Sequence, residues 1–435
     1  MKKTLCLLLT LCLTLSLVPA FAENGPVVIT FWHSMTEEAK ELLDGYVADF
    51  NATVGAEKGI RAEAVFQGSY ADSVTKMNSI LSAPGHTDEL PDVMQLDATG
   101  KASYLQAEAA WTADDMAAEY PDTDFSAMLP AALMNWNLAG VQLGLPFATS
   151  TTVTYYNKTA LGELPLNTLQ DIAALKGQVS ETTLDGADIT IYASVPNTPL
   201  LANWLGQLGS DLVNCRNGSE GTADSLACID NGALLTFLTA WKDLYATGAL
   251  DNADASTDAF AAGQLLVMTS SSSKVAGLLE RIDGRFELGV CAYPRVNPEA
   301  ANGATVSGSC LVMFDHGDER RQAAWELVSF LCGAESQVSF ARATGYIPSC
   351  FSALESGAWR DFVAEYPQYE AAALQLRDTP ETMLSATVGP SADFYYAIMN
   401  DVSDMLFDDL TPEETLDMMA DDLGGMLEIY VRNNR

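Results

Sequence analysis

Val27-Val28-Ile29-Thr30-Phe31-Trp32, Ala62-Glu63-Ala64-Val65-Phe66 and Asp92-Val93-Met94-Gln95-Leu96 are three short, largely apolar runs, and what lies between them decides the fold. Each has the length and composition of a buried strand. After the first, Thr36 precedes Glu37 and Glu38, and Leu42, Leu43, Tyr46, Val47 and Phe50 then recur at helical spacing, so a capped amphipathic helix is predicted. Ser73 to Leu81 reads as a second helix. Strand, helix, strand, helix, strand implies a parallel, doubly wound α/β layer.

Working outward, Gly144-Leu145-Pro146-Phe147-Ala148-Thr149-Ser150 leads into the extended run Thr152 to Lys158, and a second α/β block follows. It holds strands at Ile189–Ala193 and Leu265–Thr269, a helix near Leu234–Leu244, and further strands at Phe286–Val290 and Cys310–Phe314. From about Arg321 the chain reads as mostly helical. The 435 residues are enough for about two or three domains. We expect a two-lobed α/β protein, each lobe a sheet flanked by helices, with a hinge between them. Lobe one is placed at 23–147 plus 288–320 and lobe two at 148–287 plus 321–435, with junctions at Pro146-Phe147 and Tyr293-Pro294 and three crossings in all.

Lys2 and Lys3, the apolar run Leu5–Val18 and the ending Pro19-Ala20-Phe21-Ala22 form a secretory leader, with cleavage expected after Ala22. The run is shorter than the roughly 20 residues of a spanning helix. Cys12 lacks the small residue expected before a lipid-attachment cysteine. The protein is therefore expected in the periplasm or outside the cell. Twenty-two Lys and Arg face 58 Asp and Glu, a formal charge of -36, which argues against nucleic acid and against anionic membrane surfaces.

Export permits disulfides. Cys215 and Cys228 flank a polar, Gly-rich stretch and are the expected pair; the pairing of Cys291, Cys310, Cys332 and Cys350 stays open. No C-x-x-C occurs and only three histidines exist, so neither a metal site nor a cofactor is expected. Signatures of nucleophilic hydrolases, zinc proteases, P-loops and dinucleotide folds are absent. His33 beside Trp32 reads as a packed residue rather than a base. A carboxylate pair could serve a glycosidase, yet nothing singles one out among 58 acids. Thr269-Ser270-Ser271-Ser272-Ser273, between a strand and the helical run Val275–Ile282, could cradle an anion or ligand hydroxyls, or could simply cap the helix. Tyr70, Trp111, Trp204 and Tyr346 could stack on a sugar or could be core.

Phe31-Trp32-His33-Ser34-Met35, Gly68-Ser69-Tyr70, Leu145-Pro146-Phe147 with Ser150-Thr151, Tyr155-Tyr156-Asn157-Lys158, Met268–Ser273 and Thr344-Gly345-Tyr346-Ile347-Pro348 together resemble, in order and spacing, the extracytoplasmic solute-binding proteins of ABC importers, specifically their glycerol-3-phosphate-binding branch. The resemblance implies a ligand held between two lobes and delivered to a membrane permease, by a monomer without catalysis. Carried over by position, it implies ligand contacts at Tyr70, Asp97, Ser150 (or Thr149), Ser271 or Ser272, Gly308 and Tyr346. The branch's phosphate-binding arginine falls near Ser391 and its stacking tryptophan near Pro196–Pro199, so two contacts are replaced. A phosphorylated polyol, a neutral sugar and a glycerophosphodiester are all candidate ligands, and an exported glycosidase is the competing reading.

Overall fold

The computed structural model describes residues 25–433 except 84, 121, 122, 124, 181–185 and 187; the expected leader and its cleavage site lie outside them. Strands β1 (Val27–His33), β2 (Ile60–Phe66) and β3 (Val93–Asp97) form where the apolar runs predict them, with helices Glu37–Ala52 and Tyr70–Leu81 between. All three are parallel, in the order β2-β1-β3. Successive residues of β1 serve opposite faces. Ile29 and Phe31 pack with Leu43 and Phe50, whereas Trp32 packs with Val74 and Met77.

β4 (Leu145–Asn157) is thirteen residues long and belongs to both blocks. Its first half pairs antiparallel with β8 (Val306–Phe314), which in turn pairs antiparallel with β3. Its second half pairs with β6 (Leu265–Ser271) on one side and β7 (Leu288–Cys291) on the other. β6 continues in parallel to β5 (Thr190–Ala193) and then to Leu250–Asp251. One hydrogen-bonded path thus runs through both blocks, but the cores separate. Beyond β4 the core is aromatic: Trp204 lies 5.0 Å from each of Phe237, Trp241 and Tyr293. No helix among the described residues is long and apolar enough to cross a membrane.

Packing near two of the expected boundaries suggests a different division. β7 pairs with the second half of β4, and Tyr293, Val296 and Ala304 lie in the Trp204 core, so we propose that the stretch from 288 to about 306 goes with the second block. Position 320 cuts the helix Asp318–Leu331, whose Leu327, Val328 and Leu331 pack with Ile29 and Phe31 in the first block's core. We propose crossings inside β4, at the Ser307–Ser309 irregularity of β8, and within the segment after Leu331. The Cys215–Cys228 bridge is corrected. Both are unbridged: Cys215 Sγ faces the Thr222 carbonyl at 3.9 Å, while Cys228 is fully buried, which pushes its thiol up to about 12.

Gln375 ties β4 to the segment that follows β7. Its Nε2 donates to Thr151 Oγ1 (3.0 Å) and the Thr152 carbonyl (2.8 Å), and its Oε1 accepts from the Tyr293 N–H (2.7 Å). Gln375→Leu leaves buried backbone groups unpaired, and we expect a loss of about 2 kcal/mol in urea unfolding. A midpoint equal to that of the parent would show that these bonds are replaceable.

Candidate functional site

Order 2-1-3 puts a topological switch point at the carboxyl ends of β1 and β3, where open α/β sheets offer a crevice. The Ser34 N–H, just past β1, donates to Gln95 Oε1 of β3 at 3.0 Å. Gln95 Nε2 then donates to Tyr70 Oη (3.0 Å) and Ser309 Oγ (2.8 Å), and Ser309 donates on to the Phe147 carbonyl (2.9 Å). This chain holds Tyr70 in place. Tyr70 opens its helix behind a capping box, in which Ser69 and Asp72 satisfy each other's backbone N–H groups.

Tyr346 reaches the same spot from the other side. The two phenols are hydrogen-bonding neighbours, and burial raises both above the usual tyrosine range, so both are neutral donors and acceptors. The Tyr346 ring stacks on Phe340 at 5.6 Å and 17°. Asp97 closes β3 opposite Ser309 and near Tyr70, its Oδ1 accepting from Thr99 Oγ1 at 2.7 Å. Behind it Lys101 is 2% exposed, donates to the Asn135 carbonyl at 2.9 Å, and is lowered by burial against the opposing pull of Cys310 and Asp97.

The second block contributes from β6. Ser272 Oγ accepts from the Thr151 N–H at 3.3 Å, and the Ser271 and Ser272 carbonyls accept from Tyr155 Oη at 2.8 and 2.9 Å. Ser271 Oγ meets Ser273 Oγ at 2.9 Å and starts the turn into the helix Val275–Ile282. A Cβ on Gly345 would stand 3.3 Å from the Ser272 carbonyl, so the Tyr346 segment lies against this turn. Ser150 pairs with Ser307, beside Gly308.

The structure therefore links Tyr70, Asp97, Ser150, Ser271, Ser272, Gly308 and Tyr346 around the β4–β8 crossing through short chains of contacts. Between Ser150 and Thr149 it separates the two. The Thr149 hydroxyl is spent on Ser349 Oγ at 2.5 Å and its carbonyl on the Ile347 N–H. Ser272, 3% exposed, latches β4, which leaves Ser271 as the more accessible hydroxyl. Trp204 and Trp111 are core residues and do not join the site. His33 is fully buried between Phe31 and Phe66, and burial pushes it down to about 4, as befits a packed residue rather than a base. Gln95, Ser309 and Lys101 are the residues that sequence reasoning missed. The available signal was polarity inside apolar runs, Val93-Met94-Gln95-Leu96 and Ser309-Cys310-Leu311. Among the described residues, no group of three or more His, Cys, Asp or Glu is placed to hold a metal ion.

The sn-glycerol-3-phosphate-binding periplasmic protein UgpB of Yersinia pseudotuberculosis is 24% identical over 386 residues, 85% of each chain. Among solved structures, the cyclic alpha-maltosyl-1,6-maltose binding protein of Arthrobacter globiformis superposes with a TM-score of 0.75 at 19% identity, covering 93% of this chain and 99% of that one. UgpB of Mycobacterium tuberculosis, in complex with glycerophosphocholine, gives 0.72 at 17% identity, covering 94% and 99%. The first two are named for binding, and the third is described in complex with a small molecule. The model of the family described as bacterial extracellular solute-binding protein matches residues 45–371, most of the chain. On that match, and with a two-block α/β fold whose polar strand ends meet at one crossing, this chain belongs to the bacterial extracellular solute-binding protein family.

Proposed function

We propose that the protein is the extracytoplasmic solute-binding component of an ABC importer. It captures a small polyol-type solute, a phosphorylated polyol or a sugar, between its lobes and passes it unchanged to a membrane permease. It works as a monomer with no cofactor. What supports this reading is that Tyr70 interacts with both Tyr346 and Asp97 beside β8, while Ser150 on β4 pairs with Ser307 next to Gly308 and Ser271 on β6 pairs with Thr152 of β4. Two neutral phenols offer flat apolar faces with polar tips, suited to carbon–hydroxyl skeletons. Asp97 offers charged acceptors for hydroxyls, and the Ser271 turn offers hydroxyl and N–H donors.

A thermal-shift panel of glycerol, sn-glycerol 3-phosphate, glycerophosphocholine, maltose and longer maltodextrins identifies the ligand, since a ligand at 100 times its Kd adds about 2.7 kcal/mol. Calorimetry on that ligand then tests the site. Asp97→Asn deletes a charged acceptor worth about 1.5–3 kcal/mol, so affinity should fall by roughly ten- to a hundred-fold. Unchanged affinity would remove Asp97 from the site and discredit the whole positional assignment.

A further inference from the structure

Cys215, Arg216 and Asn217 are three successive non-glycine residues at positive φ, +54°, +49° and +53°. Such backbone persists only where its surroundings over-determine it. Here the clamp is Asn217, which is 2% exposed. Its Oδ1 accepts from the Leu212 and Val213 N–H groups (2.7 and 3.2 Å), its Nδ2 donates to the Leu384 carbonyl (2.9 Å), and its own carbonyl accepts from the Thr387 N–H (2.7 Å). Next to Leu384, Ser385 Oγ donates to the Val306 carbonyl at 2.8 Å, two residues before Gly308. The loop is thereby fixed to the same crossing that gathers the candidate site.

On the other side stands the first block. The Ala139 N–H donates to the Ser219 carbonyl at 2.6 Å. Ala139 lies in the turn between the paired segments Asn137–Leu138 and Val141–Gln142, and that turn follows Asn135, whose carbonyl receives the Lys101 ammonium behind Asp97. Between the two walls is a cavity of about 460 Å3, lined by Asn137, Ala139, Arg216, Ser219, Glu220 and Leu384 among others. The Arg216 guanidinium faces it, with Nη1 3.4 Å from Glu220 Oε1. A charge-assisted N–H···O bond is normally about 2.7–2.9 Å, so this pair is loose, and Asp211 also lies within reach of the Arg216 charge.

We infer that Arg216 is an oxyanion-recognising residue of the ligand cleft, taking the phosphate of a phosphorylated polyol whose hydroxyl end lies toward Asp97. The assignment rests on the solute-binding reading above. A fork of donors, immobilised by the clamp on its backbone, suits bidentate contact with two phosphate oxygens. Glu220 is its placeholder: the incoming anion replaces the carboxylate as partner, and the carboxylate opposes it.

The test is calorimetry on the full exported chain with sn-glycerol 3-phosphate and, as the neutral control, glycerol and maltose. Arg216→Gln should weaken sn-glycerol 3-phosphate at least ten-fold and leave a neutral ligand within about two-fold. Glu220→Gln should tighten sn-glycerol 3-phosphate several-fold, a gain that no unfolding artefact produces. Unchanged phosphate affinity in Arg216→Gln, or weakened phosphate affinity in Glu220→Gln, overturns the inference. So does a parent protein that binds the neutral ligands and not the phosphate, a result that leaves the solute-binding reading standing. A parent that binds none of the three, nor anything else in the thermal-shift panel, overturns both.

Discussion

Gly308→Ala is expected to cost about 3–5 kcal/mol and to move the urea midpoint accordingly, a third or more of the stability of an ordinary domain. Gly308 sits at φ +106°, a region of backbone conformation that side chains with a Cβ hardly enter. A Cβ there would stand 2.0 Å from the Ala148 carbonyl oxygen and 3.2 Å from the Thr149 Cα. Those neighbours are backbone atoms of β4, so no side-chain rotation relieves the clash. The pairing of β8 with β4 slips between Ser307 and Ser309 at this residue, and Ala148 opposite is itself strained at φ +49°. An alanine would push apart the two strands that carry the chain from one block to the other. Ser150 and Ser309 would move with them, so ligand affinity should fall together with stability. A variant within 1 kcal/mol of the parent would show that the crossing tolerates repacking and that Gly308 is there for the ligand alone.

Gly308 also marks where sequence reading works and where it stops. Its place in the site rests on resemblance, and nothing in Ser307-Gly308-Ser309 distinguishes a ligand contact from a strand irregularity. The strands and helices themselves were legible, because their apolar periods reflect local burial: Val275–Ile282 is a helix over the residues expected, and β3 and β5 differ from the expected runs by a residue. Which block a strand joins was not legible. β7 follows Phe286 with no break in pattern, yet its partner is β4, more than a hundred residues earlier. Pairing of that kind is set by closure of long loops and by shape. The cysteine pair failed for a related reason. A Gly-rich spacing brings Cys215 and Cys228 near each other in sequence, but three residues at positive φ turn Cys215 toward Thr222 while Cys228 faces the Leu234 and Phe237 core. In sequence Gln95 reads as one more strand residue, although a buried amide in an apolar run has to spend its hydrogen bonds somewhere.

A buried acid, Asp401, should make stability depend strongly on pH. Asp401 lies in the helix Ser391–Phe407, packed against the helix Pro412–Asn433, and it is 4% exposed. Its Oδ2 has no hydrogen-bond partner among the described residues. Burial, with Asp422 and then Asp404 adding like charge, raises its carboxyl from 3.8 to about 7. An acid whose folded value is raised stabilises the fold while protonated. That contribution is complete below the unfolded value near pH 4 and is lost as pH rises through about 7. Three pH units correspond to about 4 kcal/mol at most. We therefore expect stability to decline between pH 4 and pH 7, and Asp401→Asn, which mimics the protonated acid, to remove most of that slope. The variant should match the parent near pH 4 and exceed it by about 2–4 kcal/mol at pH 8 in urea unfolding. Equal stabilities at pH 8 would mean that Asp401 is solvated in solution and that the packing of the two helices around it is looser than the structure has it.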